Sequence, residues 1–315
     1  MQDPLVLIEP IELYNLLNQV YLGVPCLVRE HSTVLFDTRK SQDYNESHII
    51  TAKHVPYTDA QGYLLPKNMD YTAMEHIIVM DSRTSSLKDI SSSGTACARH
   101  IYTKLGSKSP VKVVSGGFER FSALYPFLRS SKILFTQREM YLIKIYPIEV
   151  EQRFLYNGTL EQAADPLVAK HLKIKAHINT TTVVDPLFSS SDVISGGNNE
   201  LVPQLLNVPL EDDIKADAFQ HFPVVCSFIE QHKKEDGKSV LIYSDNGVSR
   251  SVVFLLAYLI NKSKVPLKEA IGHVMKCHHS ICPNRTFIKD LLRWEVQVLG
   301  SQLSKPSDLG FLSYE

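Results

Sequence analysis

Residues 241–251 read LIYSDNGVSRS. A β-prone run that begins at Ser239 reaches Tyr243, a short loop with a central glycine follows, and Arg250 opens a second apolar run, Val252–Ile260. Strand, tight loop and helix N-terminus in that order bring backbone N–H groups together at the positive end of a helix, where they converge on an oxyanion. An arginine at the helix start adds a planar fork of donors suited to bidentate contact with phosphate. The stretch therefore predicts an α/β unit with a phosphate-binding cradle made by Asp245, Asn246, Gly247, Val248, Ser249 and Arg250.

The chain around it has 315 residues, 44% of them hydrophobic, enough for two domains that each bury a core. Its 33 basic and 34 acidic residues leave a net charge of −1, which argues against non-specific binding to nucleic acid or to a membrane surface. The longest clean apolar run, Val252–Ile260, is too short for membrane insertion. The opening MQDPLVLIEPIELYNLL carries acids at positions 3, 9 and 12 and no basic leader, so a cytoplasmic location is expected. Five scattered cysteines (Cys26, Cys97, Cys226, Cys277, Cys282) fit a reducing compartment, and the N-x-S/T triplets are chance matches there.

Both halves alternate strand-like and helix-like segments. In the first, a helix is expected over 10–20 and strands at Thr33–Phe36, His76–Met80 and Val111–Val114. Between the last two lies a serine-rich stretch, SRTSSLKDISSSG (82–94), read as a mobile surface loop. The second half shows β-type sequence at Ile148–Tyr156, a helix at Pro166–Lys173, a strand at Ala176–Asn179 and a polar loop over 189–200. A strand at Leu205–Leu210, a helix at Ala216–His232, the cradle, and helices Leu267–Cys277 and Arg285–Leu299 complete it. This pattern predicts two α/β domains, the first with a parallel sheet carrying helices on both faces.

Residues 146–300 resemble the dual-specificity phosphatase family. That family's loop, His-Cys-x-x-Gly-x-Ser-Arg-Ser, stands here as Tyr243-Ser244-Asp245-Asn246-Gly247-Val248-Ser249-Arg250-Ser251. VPLEDD (208–213), FIE (228–230), AYLI (257–260), CPNRTF (282–287) and RWE (293–295) fit in order. The resemblance implies that Arg250 clamps phosphoryl oxygens, that Ser251 reaches the nucleophile position, and that Asp212 matches the general acid, with Asp213 the alternative if the register differs by one. The nucleophile position itself holds Ser244. A cysteine, with an ordinary pKa near ~8.5, becomes a thiolate at a helix N-terminus. A serine is far less acidic and needs a paired base. Tyr243 replaces the tuning histidine, and Asp245, which would repel a dianion, is expected to turn outward. A catalytically inactive pseudophosphatase is the expectation, with no catalytic residue, a degenerate nucleophile at Ser244 and a degenerate acid at Asp212. A packed relic and a slow phosphatase using Ser244 or an activated water are the competing readings.

Residues 10–130 resemble a rhodanese domain, through VLFDTRKSQDYNESHIITAKHVP (34–56), IIVMDS (77–82) and VKVVSGGFERF (111–121). Asp37, Arg39 and His48 are read as hydrogen-bonded ties between strand end and helix, not as a catalytic trio. Sulfurtransferases of this family carry a cysteine just after the strand matching 77–80. Here Asp81-Ser82-Arg83 stands there and Cys97 lies too far along, so the domain is expected to be silent. The order of the two domains implies a likeness to MAP kinase phosphatases, and Ser244 to MAP-kinase-phosphatase-like pseudophosphatases of the serine/threonine/tyrosine-interacting type. The implied partners are proteins, phosphorylated proteins or an active phosphatase among them. KHVPYTDAQGY after Ala52 lacks the basic docking cluster and leaves only Arg39-Lys40, so MAP-kinase docking is not expected. The divisions are 10–130, a linker at 131–145, 146–300, and a tail at 301–315. CHHSIC (277–282) lacks the second ligand pair of a structural zinc site, and neither metal nor cofactor is expected. Phe118, Phe121, Tyr125 and Phe127 are assigned to core and domain-junction packing, and Trp294 to core.

Overall fold

The computed structural model describes residues 4–89, 91–184, 204–234 and 238–309, so the loop expected at 189–200 lies outside the described residues. The chain divides into two compact units, Met1–Ile145 and Tyr146–Glu315.

The first unit runs β1 (Leu5–Ile8), α1 (Pro10–Leu17), β2 (Thr33–Asp37), α2 (Ser41–Glu46), β3 (Lys53–His54), β4 (His76–Met80), α3 (Ser93–Leu105), β5 (Val111–Val114), α4 (Gly117–Leu124) and α5 (Gln137–Tyr141). The sheet order is β1-β5-β4-β2-β3, with every pairing parallel. Its central strands are nearly continuous apolar runs, as strands covered on both faces are. The unit begins earlier than 10, because β1 pairs residue for residue with β5 from Leu5 on Val111 to Ile8 on Val114. Helix α1 stops at Leu17, where the side chains of Asn18 and Gln19 turn back to bond the carbonyls of Tyr14 and Asn15. The expected linker at 131–145 is also corrected. Helix α5 lies in it, opened by a reciprocal Thr136–Glu139 capping box, and Met140 faces a cleft lined by Leu17, Leu27, Met69 and Met74 of the first unit. The aromatic set packs inside this unit: Tyr125 stacks on Tyr14 at 4.6 Å between centroids and touches Phe121 and Phe127, while the Arg39 guanidinium lies over Phe118.

The second unit runs β6 (Ile148–Glu151), β7 (Leu155–Thr159), α6 (Leu160–Ala163), α7 (Pro166–Leu172), β8 (Ile174–Asn179), β9 (Gln204–Asn207), α8 (Phe222–Lys233), β10 (Ser239–Ser244), α9 (Arg250–Ser263), α10 (Leu267–Cys277) and α11 (Arg285–Leu299). The sheet order is β6-β7-β10-β8-β9, parallel except for the β6–β7 pair. Helix α8 starts at Phe222 rather than Ala216, with Pro223 in its first turn and a 3-10 turn at Phe219–His221 before it. Helix α9 is buried from Ser251 through Ile260, which is why its sequence is apolar all round instead of amphipathic. Trp294 donates its indole N–H to the Ala257 carbonyl at 3.0 Å and meets Phe222 edge-on.

Residues 301–309 are not a free tail. The fully buried Glu295 carboxylate accepts the N–H groups of Leu267, Leu303 and Ser304 and the Ser304 hydroxyl, and Leu309 enters the core. A buried carboxylate must be met by donors, and those available come from this segment and from the start of α10.

Candidate functional site

The central strand β10 lies between β7 and β8, and its whole length is buried. It delivers Ser244 to the C-terminal edge of the sheet, opposite Thr159, and α9 begins six residues later at Arg250. The intervening turn needs its glycine. Gly247 has φ +70°, and a Cβ there would lie 2.8 Å from the Gly158 carbonyl oxygen. The Gly247 N–H donates to Ser244 Oγ at 3.0 Å, and Ser244 Oγ is 3.2 Å from Ser251 Oγ. Ser251 thus reaches the nucleophile position.

Distant elements hold the loop. Asn157 on β7 donates Nδ2 to the Gly247 carbonyl at 2.6 Å and lies 3.2 Å from His278 Nδ1. Burial, aided by nearby His279, pushes the His278 pKa down to about 4, so at neutral pH the ring is uncharged and serves as an acceptor. The Cys282 N–H donates to the Val248 carbonyl at 2.8 Å. The CHHSIC segment therefore buttresses the loop: His278 turns inward, Cys282 is exposed, and no metal-holding group of three or more His, Cys, Asp or Glu occurs among the described residues. Tyr243 is fully buried, edge-on to His177, and its carbonyl accepts the Thr180 N–H and hydroxyl.

Of the two aspartates expected as alternatives, Asp212 is the one that faces the loop. Its carboxylate accepts Ser249 Oγ at 3.0 Å and Asn284 Nδ2 at 2.8 Å, while the Asp213 carboxylate turns to its own neighbour, the Lys215 N–H. Arg250 opens α9 beside the loop, with Nη1 donating to the Leu210 carbonyl at 3.2 Å. The outward orientation expected for Asp245 is corrected: its carboxylate turns back and pairs with Arg250 Nη2. The guanidinium is the nearest cation on the loop, and its side chain is only 12% exposed, so it attracts the neighbouring carboxylate strongly.

In the first unit, Asp81 stands directly after β4, where sulfurtransferases of the family carry cysteine. Its carboxylate accepts the N–H groups of Arg83, Thr84 and Gly94 and the hydroxyls of Thr84 and Ser92. Burial opposes its ionisation, but the hydrogen bonds from Thr84, Ser92 and Gly94 together hold the carboxyl below its ordinary value. Among the described residues of 82–94, Thr84 and Ser92 are buried and tied to Asp81, and Ser93 and Gly94 already belong to α3, in place of the loose surface loop expected. Gly116 and Gly117, both at positive φ, turn the chain so that α4 begins on the Asp81 and Ser82 carbonyls. Cys97 lies on α3, fully buried, its thiol pushed up to about 12. Arg39 grips Asp37 and the Ser47 carbonyl, and the His48 ring nitrogens lie at the Tyr44 and Lys132 carbonyls, so this trio joins backbone segments.

A mostly parallel sheet whose central strand ends in a tight loop, with arginine at the start of the following helix, is an α/β arrangement that can present N–H donors and a guanidinium to an anion. Residues 155–297 match the family "Dual specificity phosphatase, catalytic domain", and residues 27–124 match "Rhodanese-like domain". The chain is similar to Dual specificity protein phosphatase 1 of Rattus norvegicus, 26% identical over 324 residues that cover 90% of this chain and 84% of that protein. It is also similar to a probable rhodanese domain-containing dual specificity protein phosphatase of Dictyostelium discoideum, 29% identical over 209 residues, 63% of this chain and 41% of that one. The crystal structure of human tyrosine phosphatase-like serine/threonine/tyrosine-interacting protein superposes on 50% of this chain and 99% of its own, with 22% identity and a TM-score of 0.41. The chain thus joins a first segment similar to rhodanese-like domains to a second segment similar to the catalytic domain of dual-specificity phosphatases.

Proposed function

We propose that this protein is a pseudophosphatase, a non-enzymatic regulator or scaffold that engages protein partners, phosphorylated proteins or an active phosphatase among them. One observation carries the reading. The atom at the nucleophile position is a serine hydroxyl whose partners are the Gly247 N–H and the Ser251 hydroxyl, with neither a histidine nor a carboxylate among them. A hydroxyl so placed has no base beside it among the described residues, whereas the loop N–H groups, Arg250 and Asp212 lie around it, which supports binding over turnover. The rhodanese-like domain is proposed to be silent as well, since Asp81 fills its loop and the Cys97 thiol is sealed in the core. MAP-kinase docking is left out of the proposal: Arg39 is locked against Asp37 and Phe118, which leaves Lys40 alone exposed. No helix among the described residues is long and apolar enough to cross a membrane, and a cytoplasmic site of action is proposed.

The test pairs two assays on the full chain. Aryl-phosphate turnover should be absent, and an immobilised phosphopeptide should retain the protein in an Arg250-dependent manner, with Arg250→Ala weakening retention at least about tenfold. Turnover that Ser244→Ala abolishes would instead establish a serine phosphatase. Equal retention of both proteins would make the loop a packed relic.

A further inference from the structure

We propose that Asp245 closes the anion loop from within, and that the loop opens to a phosphoresidue when a basic side chain of the ligand draws this carboxylate away from Arg250. This deepens the phosphoresidue reading above and rests on it.

Of the five N–H donors of the guanidinium, two are engaged among the described residues, and one of these two holds a carboxylate. Nη2 is ion-paired with Asp245, Nη1 donates to the Leu210 carbonyl at 3.2 Å, and Nε is buried with no hydrogen-bond partner among the described residues. The fork that would take two phosphoryl oxygens therefore already carries a carboxylate. On the same loop, Ser244 Oγ takes up the Gly247 N–H. Asp245 and Arg250 are five residues apart, so their pairing is intramolecular. A free anion competes against a tethered group whose effective concentration is in the millimolar range.

The exposures of the two partners indicate how the contact opens. The Arg250 side chain is 12% exposed and that of Asp245 is 43% exposed, so the carboxylate covers the guanidinium from the solvent side. Rotation of one aspartate side chain uncovers Arg250 without disturbing the core. A phosphate dianion that binds must either displace Asp245 or remain beside it and be repelled. A lysine or arginine next to the phosphoresidue offers Asp245 a replacement partner, which makes the exchange of ion pairs nearly even. The ligand class assigned to the loop is thus a phosphorylated segment with a flanking basic residue.

The experiment titrates inorganic phosphate and two phosphopeptides, alike except for a lysine or a norleucine beside the phosphoresidue. The proteins are wild type, Asp245→Asn and Asp245→Asn/Arg250→Ala, each first checked for an unchanged melting temperature. Asp245→Asn is expected to tighten phosphate about tenfold or more and to erase the preference for the lysine peptide, and the added Arg250→Ala to remove both gains. If wild type binds phosphate through Arg250 and Asp245→Asn matches it within about twofold, the loop is open and the closure is refuted while the phosphoresidue reading stands. If neither wild type nor Asp245→Asn binds phosphate or either peptide, the phosphoresidue reading itself falls, and the closure with it.

Discussion

Ser244 occupies a place where the surrounding backbone is arranged to stabilise negative charge, but its own hydroxyl stays protonated at neutral pH. The Gly247 N–H and Ser251 Oγ that would steady a thiolate here hold a neutral oxygen. Each unit carries an aspartate with close donors at a loop after a central strand, Asp81 held by its own loop and Asp245 paired with Arg250. The Asp81 case is testable through stability. Asp81→Asn exchanges an acceptor for a donor amid five donor groups and should cost roughly 1–3 kcal/mol at pH 7 by urea denaturation. The folded carboxyl lies below its unfolded value of 3.8, so its contribution is fully present above that pH and is lost as pH falls through the lower folded value. The gap between wild type and Asp81→Asn should therefore close in acid, and a gap that widened there would refute the assignment. At this scale Ser244, Arg250 and Asp212 are legible in the sequence through motif spacing. Asn157 and His278 are not, because Asn157 lies 90 residues from the Gly247 it bonds and 121 from His278. The Asp245 orientation also escapes the sequence, since loop composition does not specify which way a half-exposed side chain turns.

Among elements, the legible ones are those whose apolar runs are continuous and whose ends are marked. His76–Met80, Val111–Val114, Leu267–Cys277 and Arg285–Leu299 have the expected bounds. β1 was not expected, because LVLI sits between prolines and its place in the sheet depends on β5, far along the chain. Residues 301–309 read as a polar tail because the group that anchors them, Glu295, belongs to the preceding helix. That anchor gives a prediction: Glu295→Ala removes the acceptor of several buried donors and should destabilise the second unit by about 3 kcal/mol or more, read by urea denaturation. An effect within ±0.5 kcal/mol, as is usual for surface changes, would contradict the buried clamp. Gly247→Ala should damage the loop without unfolding the sheet, because the added Cβ meets the Gly158 carbonyl at a strained φ. Its signature is lost Arg250-dependent phosphopeptide retention with α/β circular dichroism preserved.

For the whole molecule, two units with separate cores carry their own internal probes. Cys97 in the first unit and Cys226 in the second are buried, each thiol pushed up to about 12, whereas Cys282 is exposed. A thiol reagent should label Cys282 in the native protein and reach Cys97 and Cys226 only as their respective units unfold, which mass spectrometry of the labelled peptides would resolve. The central claim is that the second unit, read as a pseudophosphatase, owes its proposed lack of turnover to Ser244 and Tyr243 at the end of β10. The direct measurement is aryl-phosphate hydrolysis by the full chain carrying Ser244→Cys and Tyr243→His. The account predicts turnover where wild type has none, lowered about 10²–10⁴-fold by Asp212→Asn in the same background. A folded double variant that remains inert would contradict it, showing that the loop and acid segment are unfit for catalysis even with the thiolate restored.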